Sequence, residues 1–178
     1  MKSGLRLVGL VAAVRIQAAL LLPVSVVSCV PAFVGHDLIT ASGSGLVLFV
    51  TMFSALLRGR RPWYEARLEK LSPPSPSTEV VAREDTFDLF SRSLTVPLVL
   101  VLVIGLAVGY GTGVPIGAAM AGIGVGMLRQ ARWLAAQERL LGGWLLCPFT
   151  PPGFTASDPD AAAYRESRFW LVRESARG

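Results

Sequence analysis

"SLTVPLVLVLVIGLAVGYGTGVPIGAAMAGIGVGML", residues 93–128, contains no charged side chain. A bilayer core about 30 Å thick is crossed by about 20 helical residues. The stretch is therefore long enough to cross twice if it folds back at "YGTG", residues 110–113. This reading gives two membrane spans, Ser93–Tyr110 and Gly111–Leu128. "LVLVLVI" taken alone suits a buried strand. Strands of a membrane barrel alternate polar and apolar residues, however, and this run does not. In lipid the backbone must satisfy its own hydrogen bonds, so helix is the expected form.

Six glycines fall within residues 111–126. In water they would weaken a helix. In lipid no hydrophobic force draws helices together, and small residues let backbones approach closely. Ala118, Gly122 and Gly126 recur every four residues and share one helix face. Gly105 and Gly109 form a second small-xxx-small pair, and Ala41–Gly45 a third. These residues are expected to be helix-packing contacts, either within the chain or towards a second copy or partner.

Two further uncharged runs lie upstream, Ile16–Gly35 and Leu38–Leu57. The fold class expected is thus all-α, an integral membrane protein of four transmembrane helices with short cytoplasmic amphipathic helices. Composition agrees. Apolar residues make up 52% of the 178-residue chain and charged residues 16%, against about 25% charged in soluble domains. Abundant Arg, Ala and Gly with no Asn suggests a GC-rich bacterial source.

All 17 cations fall in three regions, the N-terminus, residues 58–92 and the chain after Leu128. The links between spans one and two (His36–Asp37) and between spans three and four carry none. The positive-inside rule then places both termini and the middle loop in the cytoplasm, and the expected location is the plasma membrane. His36–Asp37 is read as a polar turn cap. Arg15, Arg129, Arg132, Trp133 and Trp144 are expected interface anchors, since Arg snorkels and Trp favours the headgroup level.

Residues 1–15 are expected at the cytoplasmic interface. The 58–92 loop reads as two short helices around "SPPSPS", residues 72–77, with Pro62 in the first turn of one of them. Residues 129–147 read as a juxtamembrane amphipathic helix stopped at Gly142–Gly143. The 148–178 tail reads as a short helix capped at Asp158.

Motifs for chemistry are sparse. "VVSC", residues 26–29, has the outline of a lipoprotein signal that would lipidate Cys29, but its preceding region is long and further spans follow. "VGYG", residues 108–111, resembles four residues of the potassium-channel filter. Ala107 and Thr112 stand where that filter has Thr and Asp, and a glycine-rich turn explains it. No glycine-rich nucleotide fingerprint follows a strand. The lone His36 and the distant Cys29 and Cys147 lack metal-ligand spacing. No catalytic, cofactor or metal residue is expected.

The expected function is a non-enzymatic accessory or scaffold subunit that packs through its small residues. The alternative is a small oligomeric channel or transporter, and a membrane enzyme ranks third. Expected partners are the lipid bilayer and a second copy or a larger membrane complex. Nucleic acid is disfavoured, because acidic residues interrupt the basic tail.

Overall fold

The computed structural model describes residues 6–34, 36–74, 78–149 and 168–173. The elements run β1 (Arg6–Gly9), α1 (Leu10–Phe33), α2 (Leu38–Leu68), β2 (Glu79–Val80), α3 (Arg83–Thr112), α4 (Ile116–Leu141), β3 (Gly143–Pro148) and β4 (Trp170–Arg173). Among them α1, α2 and α3 are long and apolar enough to cross a bilayer. α4 is not of that kind. Its apolar part, Ile116–Leu128, rises about 20 Å, and Arg129 and Arg132 then follow.

The helices lie side by side in the order α3, α1, α4, α2, with α4 packed between α1 and α2. The sequence suits α4 to that place, because it carries small residues on two faces. Towards α2, a Cβ at Gly122 would strike the carbonyl oxygen of Phe49, and one at Gly126 would come within 2.7 Å of Leu56 Cδ2. Towards α1, a Cβ at Gly117 would strike the carbonyl oxygen of Ser25, and one at Gly124 would meet Leu22 Cδ2 at 2.8 Å. α1 answers with small groups of its own. Ser25 and Ser28 are fully buried, and each hydroxyl donates back to its own helix, to Leu21 O and Val24 O at 2.7 Å. A serine folded back in this way presents a short, satisfied surface.

One end of the bundle carries a four-stranded sheet in the order β2-β1-β3-β4. β1 is parallel to β2 and antiparallel to β3, while β4 is antiparallel to β3. One face holds Val8, Leu145 and Cys147 against the helices. The other holds Leu7, Leu146 and Trp170. The link from α2 to α3 reaches both edges of the sheet, because Ser72 bridges to Trp170 on the outer strand β4 while Glu79 and Val80 are themselves the other outer strand, β2, paired with β1. Unpaired sheet edges invite association with other chains, and here the chain's own link occupies them in part.

The opposite end holds the two short turns. Asp37 caps α2, its Oδ2 accepting from Thr40 N at 2.9 Å and Thr40 Oγ1 at 2.6 Å. These bonds from Thr40 hold the exposed carboxyl below its ordinary range. His36 Nε2 lies 3.0 Å from Tyr110 O. A carbonyl only accepts, so Nε2 carries the proton and donates. Gly113, at φ 71°, ends α3, and a Cβ there would come within 2.8 Å of the His36 ring.

The structure corrects the sequence reading in several places. The protein is mostly helical but not all-α, because of the sheet. Leu7 and Val8 are buried on opposite faces of β1, and a four-residue strand buried on both sides shows no alternation to read. The first helix starts at Leu10 rather than Ile16, so Arg15 lies inside it. The expected separate helix at Pro62 is the end of α2, which continues through that proline to Leu68. "TEVV" supplies β2, and α3 then runs unbroken from Arg83. α4 starts at Ile116 rather than Gly111, because Gly113–Pro115 form the turn. The amphipathic helix expected over 129–147 is α4 itself as far as Leu141, and the chain becomes β3 after Gly142, at φ 64°. Trp170–Arg173 is a strand rather than part of a tail helix, and the Asp158 cap lies outside the described residues.

Candidate functional site

α2 and α4 run side by side, and each changes character at the same level. On α2 the apolar run stops at Leu57 and Arg58 follows; on α4 it stops at Leu128 and Arg129 follows. At that level a cavity of about 550 Å³ lies between them. Arg58, Arg61, Glu65, Arg129 and Gln130 are its polar lining, and Leu57, Tyr64 and Trp133 give it apolar walls. Three guanidinium groups against one carboxylate leave it net positive.

Arg61 has a neighbour on each of two sides. Its Nε donates to Glu65 Oε1 at 3.0 Å, a one-turn ion pair. Its guanidinium also lies 5.7 Å from the Trp133 ring centre, within cation–π range. Pro62 has no N–H to offer the Arg58 carbonyl one turn back, so that oxygen lacks its helical donor.

Gln130 is 4% exposed. Its Nε2 donates to Leu56 O at 3.1 Å, while its Oε1 has no hydrogen-bond partner. The carbonyl it faces fixes the amide orientation, because only the nitrogen can donate. The unpartnered atom is therefore an acceptor. A buried acceptor left without a donor costs about 1–3 kcal/mol; Oε1 is closed to solvent in this packing, so a ligand's donor would reach it through a turn of the amide towards the cavity.

Tyr64, 2% exposed, forms the back wall. Its ring stacks on Phe169 at 6.0 Å and tilts against Trp133 at 6.5 Å. A second cavity, of about 320 Å³, lies on the other side of Tyr64 and reaches Gln17, Arg60, Ser93 and Cys147. Burial pushes the Cys147 thiol up to about 12. At neutral pH it is a neutral thiol, which is a poor nucleophile.

Glu138 ties the end of α4 to the sheet. Its Oε1 accepts from Leu145 N at 2.9 Å. Burial raises its carboxyl, and the Leu145 N–H and the charge of Arg15 oppose that rise.

The structure scatters the residues singled out from sequence. Ala118, Gly122 and Gly126 line the α2 side of α4, and a Cβ added at Gly45 of α2 would lie 3.7 Å from the Ala118 Cβ. Gly105 and Gly109 lie on α3 against Ser28 and Ala32 of α1. Arg129 and Trp133 line the larger cavity. Arg15 lies near Glu138, Arg132 is exposed, and Trp144 sits on β3 opposite Val172. Sequence reading overlooked Gly117 and Gly124, although their seven-residue spacing puts them on one face. It also overlooked Gln130, which continues the 118–122–126 stripe by one further turn.

No protein family, curated protein or solved structure matches this chain.

Proposed function

We propose that this protein crosses the plasma membrane four times and acts there as a non-enzymatic accessory or scaffold subunit. Both termini and the α2–α3 link would lie in the cytoplasm. The observation that carries the topology is the single sheet. It gathers the strand before α1, the link between α2 and α3, and the strands after α4 at one end of the bundle. If α1, α2 and α3 cross, α4 must cross as well for β3 to return to β1. α4 tolerates its short apolar run because α1 and α2 flank it. The neighbouring helices, rather than lipid, meet its glycine faces.

The subunit reading follows from what the packing leaves exposed. The small-residue faces of α3 and α4 are occupied within the chain. Leu46, Val47 and Val50 on α2, and Val96, Val99, Leu100, Val103 and Ile104 on α3, face outwards. Lipid or a partner's helix would cover these two faces, at opposite ends of the α3-α1-α4-α2 row. Purification in mild detergent with mass determination tests the reading. A stoichiometric membrane partner supports it. A lone chain that conducts ions in reconstituted vesicles contradicts it and favours a channel.

A further inference from the structure

We infer that the cavity between α2 and α4 is a binding site for the headgroup of an anionic phospholipid bearing hydroxyl donors, of the phosphatidylglycerol type. The inference rests on the membrane reading above and adds a ligand to it. The cavity asks for two opposite functions from one molecule. Arg58, Arg61 and Arg129 offer donors and a net positive charge once Glu65 is counted, which suits a phosphodiester. The buried Gln130 Oε1 has no donor, and Pro62 leaves the Arg58 carbonyl without its helical one. Hydroxyl groups would suit those oxygens, the Gln130 one through a turn of its amide towards the cavity. A phosphate carrying a glycerol hydroxyl supplies both. A choline headgroup has no N–H or O–H to give.

The cavity lies at the level where a headgroup would sit. Leu57 gives way to Arg58, and Leu128 to Arg129, at its rim. Below that rim the apolar flanks of α2 would line the acyl chains. Above it, Trp133 and Tyr64 give the pocket aromatic walls. Arg61 is restrained modestly by its exposed ion pair with Glu65 and by the Trp133 ring, which lowers a little the cost of ordering it on binding.

Native mass spectrometry of the full-length protein in detergent tests the site, with phosphatidylglycerol, phosphatidylcholine and soluble glycerol 1-phosphate as the three probes. The expected result is retention of phosphatidylglycerol about tenfold or more over phosphatidylcholine, with glycerol 1-phosphate neither bound nor competing. Arg58→Gln with Arg129→Gln should abolish that preference. Arg132→Gln, on the same helix but outside the cavity, should leave it intact. Gln130→Met should weaken phosphatidylglycerol while sparing the phosphatidylcholine background.

Equal binding of the two lipids, or an unchanged preference in the double Arg variant, overturns the site. Glycerol 1-phosphate binding as tightly as the lipid overturns the lipid source and assigns the cavity to a soluble phosphate. Carbonate washing of the membranes reads the parent claim separately. Protein that stays in the pellet but shows no lipid preference refutes the headgroup site alone, and protein that washes off refutes both.

Discussion

Gly122→Ala places one methyl group where α4 meets α2. The Cβ would collide with the Phe49 carbonyl oxygen, and Phe49 C and Cα lie 3.1 and 3.2 Å away. All three atoms are backbone, so no rotamer change relieves the contact and the helices must separate. Overpacking of this kind costs about 1–3 kcal/mol. The helix gains at most about 1 kcal/mol from replacing glycine by alanine. Three backbone atoms in such close contact put the cost towards the upper end of that range, so the net loss is on the order of 1–2 kcal/mol, or about 2–8 °C in Tm for a chain of this size. Gly126→Ala should cost less, because its nearest neighbour is the flexible end of Leu56. Gly59→Ala meets nothing within 4 Å and should be neutral or stabilising by up to about 1 kcal/mol. Thermal unfolding in one detergent, followed by loss of the monodisperse gel-filtration peak, ranks the three. A Gly122→Ala protein as stable as the parent would refute backbone contact between α4 and α2.

Two further outcomes follow from the ends of the bundle. Gly113→Ala should destabilise by about 1–2 kcal/mol through its positive φ and the His36 ring. Part of that loss should vanish in a His36→Ala background, and strict additivity in a double-mutant cycle would show that the two turns do not meet. For Glu138, folding raises the carboxyl above its unfolded value. Stability therefore falls as pH rises from the unfolded pKa through the folded one, and is flat above it. Glu138→Gln keeps an acceptor for Leu145 N and should flatten that fall, as pH-dependent melting would show. Glu138→Leu removes the acceptor and should lower stability at every pH, and melting curves matching the parent's would refute the tie between α4 and β3.

The helices were legible because each exceeds the length of any strand and is apolar without alternation. The packing partners were half legible. Ala118, Gly122 and Gly126 announced one small face of α4, but the second, at Gly117 and Gly124, emerges only once α4 is known to lie between two helices. The sheet was illegible for physical reasons. Arg6–Gly9 and Trp170–Arg173 are four residues each, too short for a period to register. "GWLLCP" has no β-branched residue to favour a strand. Its conformation comes from pairing with β1, which lies more than a hundred positions earlier. The cavity was hidden likewise, because Arg58 and Gln130 meet only through tertiary packing.

The side of the membrane on which each end lies tests the account most directly. With Cys29 and Cys147 replaced by alanine, single cysteines at Asp37 and Gly111 should react with an impermeant maleimide added to intact cells that produce the protein. Cysteines at Glu69 and Trp144 should react only after permeabilisation, and reporter tags at the two chain ends should both be shielded from outside. Termini found on opposite faces would mean that α4 does not cross, and that the sheet joining β1 to β3 does not exist in the membrane.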